Sequence, residues 1–299
     1  MKTLGIITTT YNRDYCIHQV YDSLKTQNSK DFMWLVIDDG STDKTKDIID
    51  GFIKEGLIEI EYLWQPNKGM HGARNLAYQK IKTEINVIID SDDWLAKNAV
   101  HKIINFWNQN KDKNIAGIIS LNCRINGSII GGEFPDKIKK LTVTDMHDKL
   151  NMRGDKKFIY RSDLTSQYPY PEIEGENYFP ASYKFRLLDL KYKMLIMNEV
   201  TCVVDYNDNS ATFGRINQYK TCAKGFSLYR NEMIRISKNP KYIVKQTIHY
   251  IATSLFSKDR RFIKKSQKKL YTIILLPVGI AFYFYLKHTS KKSLNFKFK

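Results

Sequence analysis

Cysteine is scarce in this 299-residue chain, and the four present (Cys16, Cys123, Cys202, Cys222) lie far apart. No two have metal-ligand spacing and nothing suggests a disulfide framework. That excludes a stapled secreted domain and points to a reduced, cytosolic setting. A signal-type leader is not expected either, because Met1-Lys2-Thr3 runs into a strand-like segment with no cleavage site. There is no internal repeat and no low-complexity tract. A Gly-rich phosphate loop near the N-terminus is also missing, which argues against a nucleotidyltransferase. Acid is nearly absent at the other end of the chain. After Glu232 there are 16 Lys and Arg but one carboxylate, Asp259, so that stretch holds +15 of the formal +17. Residues 1–232 are close to neutral.

What remains is globular in composition, 42% hydrophobic and 13% aromatic, with room for a sizeable core and one or two domains. Leu4 to Thr10 is β-branched and strand-like, and Tyr11-Asn12-Arg13 closes it with a polar turn. Helical spacing follows in Tyr15 to Thr26, then a strand in Phe32 to Ile37 and a helix from Lys44 to about Gly51. A third strand is expected over Ile58 to Leu63. The loop Asn67 to Gly72 then feeds a helix, Ala73 to Ile81, and the strand Val87 to Ile89 follows. Strands alternating with helices of this length imply βαβ units, an α/β class and a mainly parallel sheet.

The stretch Asn86 to Leu95 concentrates the chemistry. The apolar run Val87-Ile88-Ile89 ends in three acids within four residues, Asp90, Asp92 and Asp93. Such acids repel one another unless a cation or a set of donors is present, and a hard divalent ion bridging to substrate phosphates fits. The competing reading is an acidic turn capping a helix that begins near Trp94. Thr9 to Asn12 follows the first strand and Asp38 to Ser41 the second, so all three motifs face one edge of the sheet. Ligands bind at that edge in open α/β folds. Tyr11 can stack on a base, and Asp39 can accept from a base or ribose donor.

Four motifs in this order and spacing carry a resemblance. They are Thr8-Thr9-Thr10-Tyr11-Asn12-Arg13, Val36-Ile37-Asp38-Asp39-Gly40-Ser41-Thr42-Asp43, Asn67-Lys68-Gly69 through Ala73-Arg74-Asn75, and Ile89-Asp90-Ser91-Asp92-Asp93. Over residues 1 to about 100 the chain is similar to the N-terminal half of family 2 glycosyltransferases, in particular the bacterial polysaccharide and capsule-type branch. The resemblance implies the GT-A fold, a Rossmann-like, mainly parallel central sheet flanked by helices, and inverting transfer from a nucleoside diphosphate sugar. It implies Thr9, Tyr11 and Asp39 around the nucleoside, and Arg74 near the donor. Asn12, Asn67, Gly69 and Ser91 would line the same donor site. Asp90, Asp92 and Asp93 would form the diphosphate and metal site, for manganese or magnesium. Thr9 departs from the family, where many relatives have proline.

Beyond residue 100, a helix over Ala99 to Asn108 and a strand over Ile115 to Asn122 are expected, then a variable Lys-rich region, Phe134 to Asp155. Pro169-Tyr170-Pro171 suggests a rigid acceptor wall. Inversion needs a general base, and Glu172-Ile173-Glu174-Gly175-Glu176-Asn177 is the acid cluster at a suitable place. Glu176 is assigned as the base, with Glu174 in reserve. The alternative is that both merely favour a helix N-terminus. Many relatives have Glu-Asp where this chain has Glu176-Asn177, which leaves open a catalytically lapsed, donor-binding protein.

Helices are expected over Tyr219 to Ile236 and Tyr242 to Leu255. The run Leu270 to Leu286 is uncharged over 17 residues, near the lower limit for spanning a bilayer. Basic residues flank it, and Phe282 to Tyr285 is aromatic. A packed helix, a surface-lying or re-entrant helix and a single span all remain open, with attachment to an anionic inner membrane face preferred. The organisation expected is a nucleotide-sugar half over 1–120, an acceptor and base half over 121–225, and a basic helical region over 226–299. The partners expected are a nucleoside diphosphate sugar (a UDP-sugar favoured), a glycan or lipid-linked acceptor, and a membrane surface. Nucleic acid is not expected, since the charge sits at one end and no nucleic-acid module is present.

Overall fold

The computed structural model describes residues 1–205 and 215–289. Asp205 to Ser210, turn-rich in composition, lies outside the described residues except for Asp205, as do Lys291 and Lys292. Two compact units emerge, Met1–Tyr170 with Ala181–Asp208, and Pro171–Pro180 with Asn209–Lys299.

In the first unit the elements run β1 (Leu4–Thr10), α1 (Ile17–Lys25), β2 (Phe32–Asp38), α2 (Thr45–Glu55), β3 (Ile60–Trp64), α3 (Gly69–Lys80) and β4 (Ile85–Ile88). There follow β5 (Trp94–Leu95), α4 (Ala99–Asn110), β6 (Ile115–Arg124), β7 (Lys140–Leu141), α5 (Val143–Asp148), β8 (Lys156–Arg161), α6 (Ser162–Thr165), α7 (Ser182–Leu188) and β9 (Lys193–Val204). All nine strands form one sheet of order β3-β2-β1-β4-β8-β6-β9-β5, with β7 on β9. β1 pairs parallel with β2 and β4, β2 with β3, and β6 with β9, so most of the ladder is parallel. β8 runs antiparallel between β4 and β6 and joins the two parallel groups.

Alternation along the strands divides the core between the two sheet faces. Ile118 and Ile159 join Leu4, Ile6, Val20, Trp34 and Trp107 in one buried cluster. Ile119 and Tyr160 face the other way, with Val143, Met146 and Leu188. β2 is buried along its whole length, which explains its unbroken apolar run.

Several boundaries differ from the sequence expectation. Trp94 and Leu95 pair with Val203 and Cys202 as a short strand, and the helix begins at Ala99, as expected, after Asn98 turns the chain at φ 62°. The Asp loop therefore leads into a strand and does not cap a helix. The Lys-rich region holds a short strand and the short helix α5, whose N-cap Thr142 accepts from the Asp145 amide. Lys193–Val204 is one long strand, with register shifts against β6.

The second unit is helical: α8 (Arg215–Thr221), α9 (Ala223–Ile236), α10 (Pro240–Phe256), α11 (Phe262–Lys265), α12 (Lys269–Ile274) and α13 (Leu276–His288). α9 and α13 both pack on α10, around a small core of Ile234, Ile243, Tyr250, Ile251 and Phe262. The uncharged run is broken at Leu275 into two helices. No helix among the described residues is long and apolar enough to cross a membrane.

Gly117 sits where β6 shifts register, with φ 155°, and a Cβ there would lie 1.9 Å from the Ile159 carbonyl oxygen on β8. That oxygen belongs to a buried backbone and cannot yield. Gly117→Ala is expected to destabilise the fold by about 3 kcal/mol, read as a lower urea midpoint at unchanged m-value.

Candidate active site

The parallel register brings the ends of β1, β2 and β4 side by side. Thr10 is level with Asp38, and the Ile89 amide donates to the Ile7 carbonyl at 2.9 Å. The loops leaving β1 and β2 are laced together. The Asn12 amide donates to Ser41 Oγ at 2.9 Å, and Asn12 Oδ1 accepts from the Thr42 amide at 2.8 Å. The Arg13 amide donates to Thr45 Oγ1 and the Asp14 amide to Asp43 Oδ2. Asn12 adopts φ 52°, a conformation asparagine tolerates better than most residues. Its amide thus holds the loop, while Tyr11 beside it is 49% exposed and Thr9 half-buried.

The two acids after β2 have different tasks. Asp38 is fully buried; one oxygen accepts from the Ser41 amide and the other from the Tyr62 hydroxyl, each at 2.7 Å. It shapes the turn. Asp39 Oδ1 accepts from Gln65 Nε2 at 2.6 Å and from the Lys68 amide at 2.9 Å. Burial pushes its carboxyl above the ordinary range, against these donors and the His71 charge. The Asp39 contacts fix the loop of Asn67 and Gly69, both at the entrance to α3, with Gly69 at φ 77° and Asn67 exposed. α3 therefore begins at Gly69, four residues before the apolar spacing suggests.

On α3, Arg74 Nη2 donates to Asp90 Oδ1 at 3.1 Å. Asn75 exchanges two hydrogen bonds with the backbone of Tyr170, at 2.8 and 2.9 Å. Lys184 Nζ, buried, donates to the Thr165 carbonyl and stands 4.0 Å from the Tyr78 ring centroid. Burial, reinforced by the Arg74 charge, pushes the Lys184 ammonium down to about 7.

The three acids of the Asp loop part company. Asp93 turns inward, where its Oδ2 lies 3.4 Å from Lys157 Nζ and accepts from Cys202 Sγ at 3.9 Å. Both side chains of this pair are about nine-tenths buried, at 8% and 10% exposed. Burial alone would lower the Lys157 ammonium, but Cys202, Asp93 and Asp90 together hold it above its ordinary value. Burial pushes the Cys202 thiol up to about 12. The Asp90 side chain is half exposed. Burial works to raise its carboxyl, yet Arg74, Lys157 and Arg13 outweigh it and hold the group below the ordinary range. Asp92 has the opposite balance. Burial and the charge of Asp90, with Asp205 adding, raise its carboxyl against the pull of Arg13. Ser91 between them is buried.

Asp92 is thus partly desolvated beside a second carboxylate, a condition that a divalent cation relieves. Among the described residues no three His, Cys, Asp or Glu side chains converge on a common point. The donor set fits a cation held by one or two carboxylates, the remaining positions going to phosphate oxygens and water.

In the second unit, Glu176 Oε1 accepts from the Lys224 amide and Oε2 from the Gly225 amide, both at 2.8 Å. The carboxylate therefore lies on the N-terminus of α9, where unpaired amides and the helix dipole favour an anion. A Cβ at Gly225 would approach Oε2 to 2.9 Å, so glycine permits this contact. Asn177 Oδ1 accepts from Cys222 Sγ at 3.6 Å, and Glu174 is exposed. Arg13, Gln65, Lys157 and Cys202 act here without having been singled out in the sequence. The faint signal for Lys157 was a lysine on the same strand face as the buried Ile159.

Residues 5–166 match the family model described as Glycosyl transferase family 2. An uncharacterized glycosyltransferase of Haemophilus influenzae is 25% identical over 252 residues, 82% of this chain and 94% of that protein. The teichoic acid poly(glycerol phosphate) polymerase of Staphylococcus epidermidis is 36% identical over 121 residues, which is 40% of this chain and 17% of the polymerase. Among solved structures, S. aureus TarS 1–349 with UDP-GlcNAc superposes with TM-score 0.59 at 19% identity, covering 94% of this chain and 81% of TarS 1–349. The Pyrobaculum calidifontis mannosyltransferase PcManGT with GDP-Man and Mn2+ gives TM-score 0.55 at 16% identity, covering 94% of this chain and 80% of the other. The GT-A architecture is common to these structures and the present fold.

Lys157 is the counter-ion of a buried carboxylate, so removing it alone strands a charge. Lys157→Met is expected to destabilise the protein by roughly 3–5 kcal/mol in urea unfolding. Adding Asp93→Asn in the same chain is expected to recover at least half of that loss.

Proposed function

The chain belongs to glycosyl transferase family 2, and from that premise we propose that it moves a sugar, with inversion, from a UDP-sugar to a glycan or lipid-linked acceptor in cell-surface polysaccharide assembly. The observation that carries the donor site is the gathering of Tyr11, Asp39 and the Asp90–Asp92 pair on the loops of three adjacent parallel strands. Tyr11 offers an exposed ring to the base, and Asp39, held by Gln65 and the Lys68 amide, offers its carboxylate to a base or ribose donor. Thr9, Asn67, Gly69 and Ser91 line the same edge, and Asn12 keeps its loop in place. Arg74 holds Asp90 and adds positive charge for the donor.

Asp92, with Asp90, would hold the divalent ion, manganese or magnesium; Asp93 is committed to Lys157. When bound, the ion neutralises charge on the leaving diphosphate. Glu176 is the base of this reading, with Glu174 in reserve. It takes the proton of the acceptor hydroxyl as that oxygen forms a bond to the anomeric carbon and the bond to the diphosphate oxygen breaks, with the electron pair leaving on the diphosphate. The two helix amides orient the carboxylate and leave each oxygen a further lone pair for that proton. The reading places the enzyme peripherally or monotopically at the inner face of the cell membrane, where a lipid-linked acceptor would be presented.

Two measurements test this. UDP with manganese is expected to raise the melting temperature, since a ligand that binds only the native state stabilises it by mass action. In Asp92→Asn the metal-dependent part of that shift is expected to disappear; a full shift would remove Asp92 from the metal site. Glu176→Gln is expected to lower kcat at least about 100-fold with donor binding intact, while Glu174→Gln stays close to wild type. If Glu176→Gln keeps its turnover and only its melting temperature falls, the carboxylate is a helix cap and nothing more.

A further inference from the structure

α13 has two apolar faces, and only one of them is covered. Gly279, Phe282, Tyr283 and Leu286 turn toward α10. A Cβ at Gly279 would lie 2.6 Å from Ile251. The Phe282 ring meets His249 edge-on at 4.8 Å, and Tyr283 meets Phe256 at 4.6 Å. On the opposite stripe Val278, Phe284 and Tyr285 are about half exposed. α12 continues that exposure with Leu270, Ile273 and Ile274, each more than half open to solvent. A helix lying on a water-facing surface carries charge on its outer stripe; between Leu270 and Leu286 there is none.

We propose that this outward face of α12 and α13 is a docking surface for an anionic lipid bilayer, which it enters to the headgroup and acyl boundary without crossing. The inference deepens the membrane part of the proposed function and does not depend on the donor site. Charge selects the occupant. Lys264, Lys265, Lys268 and Lys269 lead into the apolar run and Lys287 leaves it. The single acid of this region, Asp259, is bonded to Lys265 at 2.7 Å. An apolar patch rimmed by lysines complements a surface of acidic phospholipid headgroups. A second copy of the chain is a poor fit, because a two-fold contact would bring the same lysine rims together. Length selects the depth. The 13 residues of α13 extend about 20 Å, against about 30 Å of hydrocarbon, and the helical run is interrupted at Leu275 between α12 and α13. Tyr271 and Tyr285 are amphipathic side chains of the type enriched at headgroup level.

The test is co-sedimentation of the full chain with phosphatidylcholine vesicles, with and without phosphatidylglycerol. Wild type is expected to bind the anionic vesicles at least about tenfold more tightly than the neutral ones. The doubly substituted Ile274→Glu/Phe284→Glu protein is expected to lose at least about tenfold of that affinity, since both side chains are exposed and their loss leaves the helical core intact. Unchanged circular dichroism and an unchanged donor-dependent melting shift in the variant would show that folding is not the cause. Lys268→Gln/Lys269→Gln is expected to weaken binding to anionic vesicles and leave neutral vesicles unaffected. Absence of binding by wild type, or equal binding by the Glu variant, overturns the proposal. So does a wild-type dimer in sedimentation velocity that the Glu variant converts to monomer, which would assign the face to a second copy. Vesicle binding without any nucleotide-dependent melting shift would instead sink the donor reading and leave this surface standing.

Discussion

The position of β1 between β2 and β4, parallel to both, is the constraint on which the rest depends. Three parallel strands in register must end at the same edge, so whatever follows each of them in sequence is delivered to one place. The chain uses those deliveries unevenly. Asn12, Ser41 and Thr45 are spent on holding the first two loops to each other, and Asp38 on shaping the second. Only with that lacing in place can Tyr11 stay exposed and Asp39 stay buried within a few residues of each other. Asn12, expected at the donor site, is thus part of what makes the site rigid.

Charge balance is the second layer. Three carboxylates in four residues would be costly at a partly desolvated strand end. The fold answers with two resident cations: Arg74 from α3 against Asp90, and Lys157 from β8 against Asp93. Lys157 can reach Asp93 because β8 runs antiparallel beside β4, at the join between the two parallel groups of strands. Asp92 forms no such ion pair among the described residues. Its carboxyl is raised by burial and by Asp90, a balance that a divalent cation would relieve.

The parallel half of the fold was legible because its cues are local. Apolar runs of four to seven residues, each followed by a polar turn, mark β1, β2 and β4 and the loops after them. The loop residues proposed for the donor side could be singled out for the same reason, since they directly follow those strands. Lys157 and Cys202 were not, since they lie 64 and 109 residues from Asp93 and meet it only through strand pairing. The start of α3 was misjudged because Gly69 enters the helix through a positive φ and an amide contact to Asp39, neither visible in apolar spacing. The strand pairing of Trp94 and Leu95 was not anticipated because their partner strand, β9, lies about a hundred residues away. Glu176 accepts from the first amides of α9, far along the chain, and not from the helix that follows it directly.

The helical unit illustrates how one sequence can satisfy two solvents. α13 buries Gly279 and Leu286 against α10, and that packing fixes which side is left outward. Had the outer stripe carried charge, the uncharged run would have been short and discontinuous, and the helix would have read as an ordinary amphipathic one. Had the run been unbroken and several residues longer, it would have reached the length of a span. It has neither property. The break at Leu275 and the glycine contact with Ile251 keep it folded on the unit as two short helices. Lysines precede and follow it. Under the docking proposed above, a surface with apolar breadth, basic rims and insufficient length would lie in the plane of the interface.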